Sequence, residues 1–455
     1  MNLVEIIPPA VLLSALVMGF QPAQAQVTAA QAIPTESTDE KIQQLELKLD
    51  ELDQRIQTDK PAASVTANGG PFTIRSADDN FVLRLGADLQ LDHRTFPAVS
   101  PVPVADQTLI RRARPTISGT VYQYIDFFVR PDFGLGQVVV YDLYAQLNYF
   151  SRFNLRVGKF KPPVGLERLQ SDDDTNFIER GLPTLLVPSR DFGYQLSGDI
   201  VTKRVSYAVG VFNGVPDNSL SDASVSDHSG HNRDYAGRIF LTPFLPETKN
   251  PLSGLGVGMA VTRGNVDGLP LPAYKTLGQN TLFTFASGVT SAGHRTRLAP
   301  QGYYYRGPFG ILSEYTLAEE GFERGGVRRN IALRSWQVAA SYVLTGEKKG
   351  FGTLVPRRAF DPQSHFWGNH GWGAIELAAR VGDFSVEQAI FKYGFANADT
   401  SPRRAHEWVG GVSWYLNRMF RISADYGNTN FGGGAAAGGN RSSERVWLNR
   451  VQINF

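Results

Sequence analysis

The 455-residue chain has no cysteine, so disulfide and thiolate chemistry are closed to it, and a thiol-free chain suits entry into an oxidising compartment in the unfolded state. Charge is sparse, 19% of residues, and nearly balanced overall, with 45 Lys and Arg against 43 Asp and Glu. After the N-terminus no apolar run reaches the 18 or so residues of a transmembrane helix, which excludes a helical membrane span in the mature chain. Catalytic signatures are also missing. His93, His228, His231, His294, His365, His370 and His406 fall mostly in loop-like sequence. His228 and His231 have ligand spacing, but in a Ser/Asp-rich loop without Cys they read as solvated. Asp172-Asp173-Asp174 lacks the alternating ligands and the glycine of a calcium loop, and the glycines around Gly346 do not form GxxxxGK[ST]. No enzyme activity, metal, cofactor or nucleic-acid partner is expected.

What the chain does have is 46 Gly, 17 Tyr and 28 Phe, distributed in short alternating segments. In the final stretch, Val451, Ile453 and Phe455 alternate with Arg450, Gln452 and Asn454. A strand apolar on one face and polar on the other separates two solvents, and one ending the chain suits the closing strand of a transmembrane barrel. The pattern recurs from Phe72 onward. Leu83, Leu85, Ala87, Leu89 and Leu91 oppose Arg84, Asp88, Gln90 and Asp92. Ile117 and Val121 oppose Arg112, Arg114, Thr116, Ser118 and Thr120, and Phe153 to Gly158 turns Arg156 inward. Further segments run roughly 192–200, 205–212, 235–242, 256–262, 281–286, 301–306, 309–316, 333–344, 374–381, 385–392, 407–416 and 420–426. The expected fold is all-β: a transmembrane antiparallel barrel of between 16 and 18 strands, a size that leaves an aqueous channel. Tyr303, Tyr304, Tyr305, Trp336, Trp408, Trp414, Tyr415 and Trp447 fit aromatic girdles near strand ends.

Ahead of the barrel, residues 1–25 read as a secretory signal, with an apolar stretch Ala10 to Phe20 and the cleavage pattern Ala23-Gln24-Ala25, although Glu5 stands where a basic residue is usual. Residues 26–60 form a periplasmic segment with a helix over 39–57, and 61–71 a Pro/Gly-containing linker to the barrel at 72–455. Ile42, Leu45, Leu49, Leu52 and Ile56, spaced 3-4-3-4, make a coiled-coil seam too short to hold alone, so a trimeric body is expected to gather three copies. The alternative is a helix lying on its own barrel.

One connection differs from the rest. The 29 residues between Lys161 and Asp191 carry Pro162-Pro163, the three aspartates and an apolar patch from Leu182 to Val187, and such a loop is expected to fold into the lumen and narrow it. Gly432 to Gly439, Asp217 to His231 and Phe351 to Asn369 read as extracellular excursions. Outside the signal and the acidic helix the chain holds 41 Lys and Arg against 34 Asp and Glu, a net +7 that biases a pore toward anions or serves contacts with lipopolysaccharide.

Seven ordered blocks carry a resemblance. They are Arg111-Arg112-Ala113-Arg114, the stretch Arg156 to Glu167 (RVGKFKPPVGLE), Gln195 to Gly198, Ala340 to Glu347, Glu376 to Arg380, Trp414 to Asn417 and Arg450 to Phe455. Over about residues 72–455 the chain resembles the phosphate-selective porin O and P family. The resemblance implies a 16-stranded, usually homotrimeric barrel of the bacterial outer membrane whose constriction holds anions on Arg and Lys. It singles out Arg111, Arg112, Arg114, Lys159 and Lys161 as pore-lining residues. To these the alternation adds Arg156, while Arg111 and Lys159 have the wrong parity unless a bulge intervenes. Asp142 is a candidate acidic partner that keeps release fast, and Arg380 and Lys392 are further lumen candidates. The chain departs from the family's phosphate-specific members in being rich in Arg where they use a lysine cluster. The expected function is a water-filled, anion-preferring porin for phosphate or similar oxyanions in contact with lipid. The alternatives are a weakly selective or organic-solute porin of the same fold, and a non-conducting envelope tether.

Overall fold

The computed structural model describes residues 38–58, 63–67, 70–97, 105–219, 233–245, 247, 249–363 and 371–455. The expected signal peptide and the four histidines at 228, 231, 365 and 370 lie outside the described residues. The chain divides into two units, Met1–Lys60 and Pro61–Phe455. In the first, α1 spans Thr38–Thr58, with Asp39 and Glu40 in its opening turn where they complement the helix dipole. Its apolar stripe is exposed: Ile42 is 49% exposed, Leu45 66%, Leu49 63% and Leu52 55%.

The second unit begins with β1 (Ala63–Thr66) and β2 (Phe72–Ser76), which pair antiparallel, so part of the expected linker is a strand. The wall follows as β3 (Phe81–Thr95), β4 (Gln107–Val121), β5 (Ile125–Asp132), β6 (Val139–Phe150), β7 (Phe153–Phe160), β8 (Asp191–Val201), β9 (Val205–Phe212), β10 (Asp234–Leu241) and β11 (Leu255–Asn265). A small hairpin, β12 (Tyr274–Lys275) and β13 (Thr281–Phe283), interrupts it. The wall resumes with β14 (Thr290–Arg306), β15 (Phe309–Arg324), β16 (Val327–Val343), β17 (Ala374–Val386), β18 (Pro402–Tyr415), β19 (Phe420–Gly433) and β20 (Glu444–Asn454). Each wall strand pairs antiparallel with its neighbour, and β20 returns to β3, closing sixteen strands. Arg450 faces Asp92 across that seam and donates to both carboxylate oxygens at 2.7 and 2.8 Å. Phe455 exchanges backbone bonds with Ala87, and β2 pairs with β3 just beyond, at Phe72 opposite Leu85. The edge that β20 leaves is thereby prolonged, and the Phe72 and Phe455 rings meet at 6.4 Å.

Two sequence segments are corrected. Residues 281–286 contain the β13 arm of the interrupting hairpin and not a wall strand. Residues 385–392 are the tail of β17 followed by the helical turn α3, which is numbered third because α2 (Leu166–Leu169) lies in the inward loop, and spans Ala389–Lys392. Strands β5 and β6 escaped detection because Phe127-Phe128-Val129 breaks alternation in one and a bulge at Tyr141 breaks it in the other.

The barrel is inside-out relative to a water-soluble protein. Leu143, Leu196, Val209, Ile239, Val261, Val412 and Val451 are exposed on its outer face, while Asp88, Gln90, Asp92, Arg112 and Arg114 are buried within. Rings crowd the rim of short turns, where Phe81 meets Tyr122 and Tyr124 meets Tyr149. Trp408 and Trp447 flank Tyr426 on the outer face, whereas Tyr415 turns inward and donates to Glu376 at 2.9 Å, so it belongs to no girdle. The apolar core sits inside the lumen. Leu182, Leu185 and Leu186 of the inward loop pack with Tyr274, Leu282 and Phe283 of the hairpin loop and with Phe322, Leu333 and Phe384 of the wall.

The 344–373 connection is also corrected. It leaves β16 at the rim of short turns, the periplasmic rim in outer-membrane barrels, and not among the extracellular loops. From there it reaches up to the inward loop: Thr353 donates to Asp174 at 2.6 Å, and Gln170 Nε2 donates to the Phe351 carbonyl at 2.8 Å.

The two-faced wall predicts an asymmetric response to charge. Leu196→Arg, on the outer face of β8, is expected to lower the stability of barrel folded into vesicles by about 2–4 kcal/mol if the position lies near the bilayer midplane. The adjacent Ser197→Arg, on the inner face, should cost far less. Urea titration in lipid vesicles measures both.

Candidate functional site: the basic constriction

Residues 161–190 leave β7, enter the lumen and return to β8, and most of their side chains are buried there. A loop this long would expose many backbone groups, and the wall satisfies them with charged side chains. Arg421 donates to the Thr175 carbonyl at 2.8 Å, Arg380 to the Glu179 carbonyl at 3.0 Å and Arg297 to the Leu186 carbonyl at 2.9 Å. Conversely, Asp425 accepts from the Ile178 amide at 2.7 Å and Glu314 from the Leu166 amide at 2.6 Å. The loop is pinned from β14, β15, β17 and β19, on the far side of the barrel from its own root.

Near that root Asp172 meets four guanidiniums. Arg114 lies at 2.5 Å, Arg180 at 2.8 Å, Arg112 at 3.6 Å and Arg190 at 4.0 Å. Burial opposes the charge on Asp172, but Arg112, Arg180 and Arg114 hold its carboxyl well below the usual carboxylate range. Glu179 does the same seven residues further along. Burial raises it, yet Arg111, which donates through Nε at 2.8 Å and Nη2 at 3.1 Å, brings it far below its ordinary value. Tyr141 lies between Arg114 and Arg190, whose guanidinium carbons sit 3.7 and 4.0 Å from its ring centroid.

Two bulges bring extra side chains to this point. In β4, Gln90 pairs with Arg112 and Leu91 with Ile110, so Arg111 is the added residue and turns to the lumen beside Arg112. In β6, Arg130 pairs with Asp142 and Pro131 with Val140, so Tyr141 joins Asp142 on the inner side. A bulge was the condition attached to Arg111 from its parity, and it is met.

The loop leaves two openings that share Asp172. The one toward the long loops, about 300 Å3, is lined by Arg111, Arg112, Arg114, Arg168, Arg180 and Lys275 against Asp132, Asp172, Glu179 and Glu407. The one toward the short turns, about 390 Å3, is lined by Arg130, Arg156, Lys161, Arg190 and Arg238 against Asp142 and Asp172. In the first, Arg111, Arg112, Arg114 and Arg180 all have carboxylate partners. In the second, Arg156 donates to Gln146 at 2.6 Å and stacks over Tyr144, and Lys161 donates to the Gln170 carbonyl at 2.7 Å. Burial, then Arg190 and Arg180, push the Lys161 ammonium well below its ordinary pKa.

The structure thus brings Arg111, Arg112, Arg114, Asp142, Arg156 and Lys161 to one constriction, with Asp142 accepting from Arg190 at 2.8 Å. Three of the expected pore-lining residues line neither opening. Lys159 pairs across the ladders with Leu143 and Phe192, so its parity is that of the outer face; it is nevertheless buried, at 3% exposure, with its ammonium 5.8 Å from the Phe192 ring, and it lines neither opening. Arg380 faces inward but is held by Glu407 at 3.0 Å and by Glu167 at 3.7 Å, serving the loop's anchorage and lining neither opening. Lys392 is exposed on α3 at the long-loop rim, 5.8 Å from the Tyr393 ring. Sequence reasoning missed Tyr141, Glu179, Arg180 and Arg190. Alternation gives no parity for loop residues, and the bulge hid the tyrosine.

Asp172→Asn leaves Arg112 and Arg114 less compensated, and breaking a buried pair in this way costs about 3–5 kcal/mol. The variant is expected to unfold at lower urea and to be cleaved faster by protease within 161–190. Wild-type resistance on both measures would remove Asp172 from the anchorage.

Comparison with known proteins agrees with this geometry. The family described as phosphate-selective porin O and P matches residues 83–431. Porin O of Pseudomonas aeruginosa is 25% identical over 404 residues, which cover 82% of this chain and 88% of that protein. Among solved structures, the outer membrane channel DcaP of Acinetobacter baumannii is similar at a TM-score of 0.54 and 11% identity, covering 86% of this chain and 100% of its own. The trimer form of in-vitro folded OmpT, an outer membrane protein of Vibrio cholerae, reaches 0.51 at 12% identity, covering 83% and 100%. At such identities the two structures speak for the fold alone. With a sixteen-stranded closed wall, an inward loop and a family match over most of the barrel, this chain belongs to the phosphate-selective porin O and P family of bacterial outer-membrane channels.

Proposed function

We propose that the barrel is an anion-preferring channel for passive uptake of phosphate or similar small oxyanions. The observation that carries this reading is the charge at the constriction: eleven Lys and Arg line the two openings against five Asp and Glu. In a narrow passage with low-dielectric walls, such an excess raises the local concentration of anions and excludes cations. Guanidiniums match oxyanions bidentately, so a tetrahedral oxyanion gains more here than a halide of equal charge. The neighbouring carboxylates weaken each stop, which suits conduction, since an ion must leave as readily as it enters.

The pairing of Arg111, Arg112, Arg114 and Arg180 with carboxylates also favours a second reading, a channel of the same fold with little selectivity. Reversal potential across a salt gradient separates the two. On the first reading the current is carried mainly by chloride and falls as phosphate is added. Arg112→Glu with Arg114→Glu should reduce or invert that preference, and unchanged selectivity would remove these arginines from the mechanism. Lys161 adds a pH dependence. Because its pKa is depressed, its charge is present at low pH and is lost on raising the pH well before the ordinary lysine value of about 10.4. Anion preference is therefore expected to fall over that interval in wild type and to stay level in Lys161→Arg.

A homotrimer is part of the proposal, with the exposed stripe Ile42, Leu45, Leu49 and Leu52 of α1 meeting the same stripe of two other copies, and Ile56 extending it by spacing. Leu45→Glu with Leu49→Glu should abolish helix association. Cross-linking of an intact pattern in that variant would dismiss the seam.

A further inference from the structure

A third cavity, of about 550 Å3, lies at the short-turn rim and shares no lining residue with the two openings at the constriction. It is walled by three separate turns, at 242–255, 306–307 and 348–351. Backbone bonds tie these together: the Lys349 amide donates to the Gly307 carbonyl at 2.8 Å, and the Tyr305 amide to the Gly254 carbonyl at 3.1 Å. The cavity is therefore built into the folded rim.

Its chemistry is one-sided. Lys249, Arg306, Lys348 and Lys349 line it, and no carboxylate does. Lys349 is buried and satisfied by Glu376 at 2.7 Å. The other three are exposed, and none forms an ion pair among the described residues. The remaining wall is aromatic. Tyr303 lies 4.9 Å from Tyr305 between ring centroids, and 5.4 Å from Phe351 with the planes 26° apart. Tyr303 also meets Phe240 at 5.3 Å, and Phe240 lies two residues along β10 from Arg238 of the lower opening. Rings thus bridge the basic constriction and the basic rim.

We propose that this rim cavity binds organic anions that carry a ring, aromatic carboxylates as a class. The carboxylate is held by Lys348, Arg306 and Lys249, and the ring lies against Tyr305 and Phe351. An inorganic oxyanion or acetate would gain only from the cations, whereas a ring adds stacking. The inference rests on the channel reading for the solute's arrival from the lumen. Binding at the rim can be measured without it.

The test uses the full chain in detergent, with benzoate as probe and acetate as the ringless control, in equilibrium dialysis. Benzoate is expected to bind roughly two- to tenfold tighter than acetate. Tyr305→Leu and, separately, Phe351→Leu should shrink that ratio toward one, while Lys348→Gln with Arg306→Gln should weaken both ligands. Equal binding of benzoate and acetate to wild type would overturn the proposal. A benzoate preference untouched in both ring variants, each shown to be folded by its heat-dependent gel mobility, would overturn it too. Reversal potentials on the same proteins keep the two readings apart. Anion preference without a benzoate site removes the rim cavity alone, and benzoate binding without anion preference removes the channel reading alone.

Discussion

A single carboxylate among guanidiniums sets the terms for the rest of this molecule. Asp172 sits within 4.0 Å of Arg112 and Arg114 of β4 and of Arg180 and Arg190 of the inward loop itself. An isolated buried arginine is costly, and so is an isolated aspartate. Placed together, each offsets part of the other's penalty, and the inward loop has a fixed place beside β4. Without that match the loop would bring a three-aspartate run into a lumen with no reason to keep it.

Around this point the barrel reverses the usual order of a globular protein. Leucines and valines face outward, and polar side chains line the wall. The apolar cluster of Leu186, Phe283, Phe322 and Phe384 fills one side of the interior from the loops inward. The two openings lie mainly against the other side, along β4 to β10. Narrowness and charge thus come from the same folding event. The 344–373 connection reinforces it from the opposite rim, since Thr353 and the Phe351 carbonyl hold Asp174 and Gln170 from below. A loop held by the wall and from the opposite rim has a fixed place, and the arginines paired to it keep a defined spacing.

Much of the architecture was legible in the residue order. Period-two alternation at Leu83 to Asp92 and at Val451 to Phe455 reports two solvents on two faces of one strand. That local property needs no partner to be read. Spacing alone marked the α1 stripe, and length with apolar content marked 161–190 as the inward loop. Arg112, Arg114 and Arg156 followed from parity. Where parity is interrupted the reading failed or stayed conditional. Arg111 and Tyr141 reach the lumen only because one residue is added to β4 and one to β6, and Lys159 misses it because none is added to β7.

The sequence by itself determined, for the strands that alternate strictly, which face meets lipid and which meets water, and it determined which loop is too apolar to stay outside, because both depend on nearest neighbours along the chain. Only the tertiary structure decided which charges meet. Asp92 and Arg450 are 358 positions apart, and Arg380 grips a carbonyl 201 positions away, so closure and anchorage depend on pairings that no local pattern encodes. Whether an arginine is a free site for an anion or a support for the loop follows from its distance to a carboxylate, and that distance is set when the sixteen strands close.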